Sequence, residues 1–550
     1  MEEIFSYNSL RLSYERVIRS STKDVRNFFG ESIYKVNLKN NLENLSKSIL
    51  NLEYEPSKPF KYYEPKSSGT QRVKTILNIE DSIVYQAFAN HIAIITNSEL
   101  KTTNKFVFGN ILHENVVKGT ELLNEFDPEF HFFKKYVPLF NEFVESVNKQ
   151  INDSDKLYKL DTDITSFFDC ISHSSLAFIL QDFGVQPKTI DFLLMCLNIW
   201  SGTRNSPTFQ VGIPQGPIAS FFFANLILHG LDKKMMTQVY SYYRYTDDIK
   251  IYSNSEDELQ VALIDIDSYL KDHSLSLNSK KTLIKEVSND KTKEFFHLLK
   301  AQSTSELILT EKEQAIIQTE FLTEVGNDEL INFNIDQEDA ITIISGRLTE
   351  IESTIIDIFV PPILKGKFVS ENMDDLETKL LEYGYLWRTY VRMLNEFEGT
   401  FEFNYELVSI WITGINTFFW RSNHFCWNLK NYKLEESDLN IIFSESNSIH
   451  RFEWCTYQVN SLLLKPQIIA HFDLKQIAKS IKNTNSPLIR LSLYKILLSN
   501  SEIDSQLFQT AIQLIKEDSE NYIRYTLLDW LNYYLPAKNS VDLQNNWFGA

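Results

Sequence analysis

The chain lacks the marks of several protein classes. Its four cysteines, Cys170, Cys196, Cys426 and Cys455, form no CxxC pair, so neither a zinc site nor a disulfide framework is indicated, and each is expected to be a small buried apolar residue. No stretch approaches the ~18 uninterrupted apolar residues of a membrane-crossing helix, and no signal-like apolar run opens the sequence. A reducing cytoplasm is therefore the expected compartment, with no membrane partner. No low-complexity linker separates the parts of the chain, so its domains are expected to pack tightly. Positive charge is scarce: 54 Lys and Arg stand against 73 Asp and Glu, for a net charge of −19. That balance argues against a protein that coats nucleic acid without specificity.

The deficit is unevenly placed. Residues 301–360 hold 13 acids against Lys312 and Arg347, whereas residues 11–74 hold 13 Lys and Arg against 7 acids. A basic N-terminal part and an acidic middle suit an enzyme with one confined polynucleotide channel; solvated helix faces of either sign would give the same counts. At 550 residues the chain should form two to four domains with real cores.

Residues 1–60 read as helices with polar, basic faces, such as Leu10 to Val25. A loop-and-strand region around Pro65-Lys66-Ser67-Ser68-Gly69 precedes an apolar helix from Asp81 to Ile95, which Asp81 could cap. Between 157 and 252, β-like runs alternate with helical ones: Leu157–Ile164, Ser174–Phe183, Pro217–Leu231 and a hairpin over Tyr242–Tyr252. This order fits an α+β sheet domain with helices behind it. Beyond about 345 the pattern is helical, as in Asp374–Phe397. Ile489-Arg490-Leu491 and Ile523-Arg524-Tyr525 lie 34 residues apart, an echo that stacked helix pairs or ordinary helix patterning would both produce.

The chemistry concentrates at Tyr245-Thr246-Asp247-Asp248. Two adjacent carboxylates at a hairpin tip with apolar flanks are costly unless a cation sits beside them. Magnesium suits such a site, because it takes one or two carboxylates plus phosphate oxygens. Asp163, 84 residues before Asp247, closes a strand-like run and could meet the hairpin tip; Asp161 and Asp169 compete for that role, and a helix cap is the plainer alternative for each. Between these acids, Gly212-Ile213-Pro214-Gln215-Gly216-Pro217 makes a stiff loop whose backbone can approach a ligand closely. In isolation it is equally an ordinary strand-to-helix turn.

In this order the segments resemble those of the reverse transcriptases, more narrowly the bacterial ones. Asp163-Ile164-Thr165-Ser166-Phe167-Phe168-Asp169 looks like the first catalytic motif, Gly212 to Pro217 the second and Arg244 to Asp248 the third. Leu275-Ser276-Leu277-Asn278-Ser279-Lys280-Lys281-Thr282 is similar to the fourth, and Arg72-Val73-Lys74 with Asp81-Ser82-Ile83-Val84 to the fingers motifs. The resemblance implies a right-hand fingers and palm domain over 61–290. Around it lie a helical segment over 1–60, an acidic thumb-like connector over 291–345 and an all-α, HEAT-like domain over 346–550. It implies that Asp163, Asp247 and Asp248 hold two magnesium ions, with manganese as the substitute. Phe168 would be the gate against a 2′-hydroxyl, Gln215 would line the nucleotide pocket, and Arg72 and Lys74 would meet the triphosphate. Lys281 would act as general acid toward the pyrophosphate.

The pattern also departs from the family. No Phe-Leu-Gly primer grip follows Lys281, with Phe295-Phe296-His297-Leu298-Leu299 the nearest apolar stretch. An acidic segment stands where a basic thumb would hold a duplex, and neither a Cys/His-rich nuclease module nor a Val-Thr-Gly of the retron type is present. Reverse-transcriptase motifs followed by roughly 200 residues of helical, repeat-like sequence resemble the abortive-infection and defence-associated reverse transcriptases of bacteria, which are antiphage proteins. Some of these make DNA from dNTPs without a template, on a protein tyrosine, and several form homo-oligomers. Tyr7, Tyr14, Tyr34 and Tyr54 lie in the right region for such a DNA attachment. Templated copying of a dedicated non-coding RNA, bound by the basic N-terminal stretch, is the alternative. A catalytically silent polymerase-fold scaffold is another, against which the three acids argue.

Overall fold

The computed structural model describes residues 1–20, 27–65, 71–152, 157–202, 210–287, 426, 439, 453–501, 505–520, 523–528, 530 and 531. The acidic connector, the Phe295–Leu299 stretch, the helical pattern at Asp374–Phe397 and the loop at Lys66–Gly69 lie outside these residues. In chain order the elements are α1 (Tyr7–Ser20), α2 (Phe28–Val36), α3 (Leu38–Leu50), β1 (Phe60–Pro65), β2 (Gln71–Ile76), α4 (Ile79–Leu100), α5 (Tyr136–Asn152) and β3 (Tyr158–Asp163). There follow α6 (Phe167–Cys170), α7 (His173–Asp182), α8 (Pro187–Trp200), α9 (Ile218–Met235), β4 (Ser241–Tyr245), β5 (Asp248–Ser253), α10 (Glu256–Asp272) and β6 (Leu283–Glu286). The last are α11 (Glu453–Asn460), α12 (Pro466–Ile469), α13 (Leu474–Asn483), α14 (Pro487–Asn500) and α15 (Gln506–Lys516). The fold is thus α+β in its first half and helical in the described part of its second.

Two compact units result. The first draws on Met1–Val25, Leu45–Lys61 and Lys74–Val360, the second on Arg26–Asn44, Tyr62–Val73 and Pro361–Ala550.

In the first unit an antiparallel sheet of order β4-β5-β3-β6 forms the centre. Its rear face carries Leu160, Ile249 and Ile251, all fully buried, and α10 packs on β3 and β5 with Leu259, Ala262, Ile266 and Leu270 inward. Ser255 caps α10 by accepting from the Glu258 amide, and three acids in the first turn suit the positive end of the helix. On the opposite face α5 lays Phe140, Phe143 and Val147 against Tyr252, with Tyr243 and Tyr245 at the margin. Helices α4 and α9 are buried on nearly all sides, which is why their sequences show no polar stripe.

The N-terminus of α4 differs from the expected form. Asn78, three residues ahead of Asp81, is the cap, its Oδ1 accepting from the Asp81 amide at 2.7 Å. Asp81 turns inward instead, taking the Tyr54 hydroxyl and, at 3.1 Å, the Ser57 amide. Of the four N-terminal tyrosines considered for DNA attachment, Tyr14 and Tyr34 are buried, and the half-buried Tyr54 is held by Asp81. The basic stretch is less of a surface than its composition implies. Arg16 is buried, donating to Asn90 at 2.7 Å, and Lys74 is buried as well. Arg11 and Arg19 both reach Glu15.

In the second unit α2 packs on α14. The Tyr457 hydroxyl on α11 donates to Asn27 at 2.9 Å and accepts the Phe29 amide at 3.0 Å. The two echoed arginines converge on one residue: Arg490 grips the Asp518 carboxylate at 2.8 and 2.9 Å, while Arg524 bonds the Asp518 carbonyl. Among the described residues no helix is long and apolar enough to cross a membrane.

Burial drives the Asp81 carboxyl up to about 8, against the hydrogen bonds from Tyr54 and Ser57. The folded state then keeps a proton that the unfolded chain releases near pH ~4, so stability falls as pH rises from that value toward the folded one. Asp81→Asn should flatten this fall. Urea midpoints taken between pH 4 and pH 8 are expected to drop more steeply for the natural chain than for the variant, and parallel curves would refute the assignment.

Candidate active site

Antiparallel register brings the acids together. Asp163 ends β3, Asp248 begins β5, and the two are direct partners in the ladder, which sets their Cα atoms about 5 Å apart. Asp247 occupies the two-residue turn between β4 and β5, after Thr246 in the left-handed region at φ 57°. A like charge opposite a like charge destabilises a sheet unless it is compensated. The Asp248 carboxyl is accordingly raised, first by burial and further by Asp161 and Asp163, while Lys250 and Lys281 oppose the rise.

The compensation is cationic. Lys281 Nζ lies 3.0 Å from Asp163 Oδ2, and the Asn278 side-chain amide donates to the same oxygen at 3.3 Å. The Asn278 backbone amide donates to the Asp163 carbonyl at 2.8 Å, fastening the segment that carries Lys281 to the end of β3. Lys250 Nζ stands 3.8 Å from Asp248 and 3.0 Å from Asp161. Asp161 also meets Lys159 at 3.6 Å and Lys285 at 3.8 Å. Burial alone would raise its carboxyl, but Lys250, Lys159 and Lys285 outweigh it and leave the value at about 2. Asp161 is therefore a half-buried anion compensated by three lysines. Asp169 is exposed on α6, beyond the strand end.

The residues expected to line a nucleotide pocket fall as follows. Gln215 is half-buried, and its carbonyl accepts the Thr75 amide of β2 at 2.6 Å. Gly216 stands at φ 138°, and a Cβ there would meet the Thr75 carbonyl at 2.6 Å. Only glycine allows the loop to lie this close to β2. Phe168 is buried, its ring edge-on to Phe221 at 5.2 Å, and its carbonyl accepts the Ile213 amide at 2.8 Å. Lys74 is buried in β2 of the first unit, whereas Arg72 belongs to the second. Lys61, which reaches Thr75 Oγ1 at 2.6 Å and the Trp200 carbonyl at 3.1 Å, has its amine lowered to about 8 by burial, with Asp169 opposing the shift.

Sequence reasoning missed Lys250, Lys159, Lys285 and Lys61. Alternation along β3 (Lys159, Asp161, Asp163) and β5 (Asp248, Lys250) is the signal that could have placed several of them on one sheet face. Among the described residues no group of three or more Asp, Glu, His or Cys is gathered closely enough to hold a metal ion. The donor chemistry, hard carboxylate oxygens paired across two strands with amines drawn to them, nonetheless suits a divalent cation.

Residues 65–304 match the family model described as reverse transcriptase (RNA-dependent DNA polymerase). The chain therefore carries a reverse-transcriptase domain, which supports an enzyme of the nucleotidyltransferase type. No curated protein matches. Among solved structures, a telomerase from Candida albicans with the TWJ fragment of telomeric RNA is 11% identical at a TM-score of 0.30, covering 70% of this chain and 66% of that one. An apo telomerase from Candida tropicalis is 10% identical at a TM-score of 0.30, covering 90% of this chain and 71% of that one.

Gly216→Ala should lower stability by about 1–3 kcal/mol, through both the positive φ and the clash with Thr75. Urea unfolding measures it; an unchanged midpoint would mean that the loop and β2 are not in contact.

Proposed function

We propose that the first unit is a DNA polymerase of the reverse-transcriptase type, joining deoxynucleotides by attack of a 3′-hydroxyl on the α-phosphate of a dNTP with pyrophosphate leaving. The observation that carries this reading is the register pair Asp163–Asp248 with Asp247 in the adjoining turn. Asp163, Asp247 and Asp248 would hold two magnesium ions, manganese substituting, which lower the pKa of the attacking hydroxyl and steady the leaving group. Lys281, whose amine rests on Asp163, would act as general acid toward the pyrophosphate. Gln215, in a loop held against β2 through Thr75, would line the pocket of the incoming nucleotide. The buried Phe168 ring, edge-on to Phe221, would be the bulky group that excludes a 2′-hydroxyl. Lys74, on the first unit's side of β2, would meet the triphosphate.

The same proposal extends to biology: antiphage defence in the cytoplasm, as a homo-oligomer, by synthesis that needs no template and can leave DNA joined to a tyrosine. Its support is the motif set together with the acidic 301–360 segment in the sequence. Burial of Arg16 and Lys74 weakens the rival picture of an N-terminal surface for a non-coding RNA.

Purified protein incubated with magnesium and each dNTP, then digested by nuclease and by protease, tests the reading. Incorporation without added nucleic acid is expected, and Asp247→Asn with Asp248→Asn should reduce it to background. Product only with added RNA and a free primer would replace untemplated synthesis by copying. Full antiphage protection by the double variant would make the fold a scaffold.

A further inference from the structure

The hairpin tip is gripped from behind by groups that take no part in the proposed chemistry. Arg244, the penultimate residue of β4, is buried together with Asp232 near the end of α9. Its Nε and Nη2 donate to the two Asp232 oxygens at 2.7 and 2.6 Å. Its remaining Nη1 donates to the Thr246 carbonyl at 2.6 Å and to Asn225 Oδ1 at 3.1 Å. The Tyr242 hydroxyl donates to Asp232 at 2.7 Å, so the carboxylate is fixed from two sides.

A second set of bonds holds the turn from the flank. The Arg244 amide donates to the Phe106 carbonyl at 2.8 Å, and the Phe108 amide to the Arg244 carbonyl at 2.9 Å. Asn225 links both sets, its Nδ2 donating to the carbonyls of Gly109 and Asn110 at 3.0 and 3.1 Å. Asn110 in turn donates to Thr246 Oγ1 at 3.2 Å. A Cβ on Gly109 would fall 2.5 Å from the Thr246 nitrogen, so this segment abuts the turn with no room for a side chain.

From this arrangement we infer that Arg244, locked by Asp232, is a positioning residue: it fixes the peptide between Thr246 and Asp247 and so sets where the Asp247 and Asp248 carboxylates present themselves to a divalent cation. The inference rests on the polymerase reading above. A buried ion pair is weak evidence of a stabilising role, since apolar replacements are often as stable. This one differs in where its spare donor ends, on the carbonyl that precedes the first acid of the pair. Thr246 adopts a left-handed conformation that a β-branched residue disfavours, and the Nη1 and Asn110 bonds supply the local cause for its persistence. In metal sites, partners of the ligating carboxylates govern affinity without touching the ion, and Arg244 holds that place through the main chain.

The test uses the full chain, with manganese(II) alone as probe, read by electron paramagnetic resonance, beside the magnesium dependence of dNTP incorporation. Arg244→Lys keeps the charge but cannot bond Asp232 through two nitrogens and Thr246 through a third. It is expected to bind manganese about ten-fold more weakly and to lose a similar factor in kcat, with KM for dNTP unchanged and partial recovery at high magnesium. Manganese affinity equal to that of the natural chain would overturn the inference, even with turnover reduced, because a merely structural loss leaves the metal requirement alone. Should circular dichroism show Arg244→Lys unfolded, Asn110→Gly takes its place. Glycine suits the positive φ at that position, and removing the one bond to Thr246 should weaken manganese binding about five-fold. Equality there would again refute the clamp. A natural chain that polymerises while both folded variants match it removes the clamp and leaves the polymerase; one that neither binds manganese nor incorporates dNTP removes both.

Discussion

Everything in the first unit is arranged around one electrostatic conflict, the antiparallel register that sets Asp163 opposite Asp248. A sheet gains nothing from facing carboxylates, and burial makes the pair worse. The surroundings answer in three ways. Lysines approach from β5 and from the Asn278–Thr282 segment. Asp161, two residues back, takes up the excess cation where the site would otherwise become too positive. The turn that bears Asp247 is pinned by Arg244 and Asn110, so the conflict cannot relax by swinging an acid away. Carboxylates paired across two strands in this way have the hard-oxygen donor chemistry that suits a divalent cation.

Much of this was legible in the chain. The hairpin, the strand ending in Asp163 and the glycine-proline loop are written in local pattern, where alternation and turn residues speak directly. The gap between motif and geometry opens where tertiary register decides. Nothing around Asp232 marks it as the partner of Arg244, since twelve residues and a change of element intervene. The helix cap was misread at Asp81 because Asn78 offers the same chemistry one turn earlier, and only the inward position of Tyr54 shows which one turns away. Net charge misled in a similar manner: Arg16 and Lys74 count as surface in a composition, yet one faces Asn90 and the other lies inside β2.

The two units use the same device for different ends. Arg490–Asp518 and Arg244–Asp232 are both bidentate and both buried. In the second unit the arginine ties α14 to the loop after α15, and Arg524 reinforces the same point through the main chain. There the pair joins α14 to the loop after α15, whereas in the first unit its equivalent reaches the turn between β4 and β5. The chemistry of an ion pair thus says little about its role until the destination of the last donor is known.

Strand β3 carries a charge at every second position, Lys159, Asp161 and Asp163, on the face that its neighbours must cover. In the unfolded chain these groups are fully hydrated, and no single neighbour satisfies them: Lys250 comes from β5, Lys285 from β6 and Lys281 from just before it. A partly formed sheet would therefore strand buried charge without its complement. Completing the charge balance of β3 thus draws on β5 and β6 together, so the electrostatics around Asp161 and Asp163 also tie the three strands to one another.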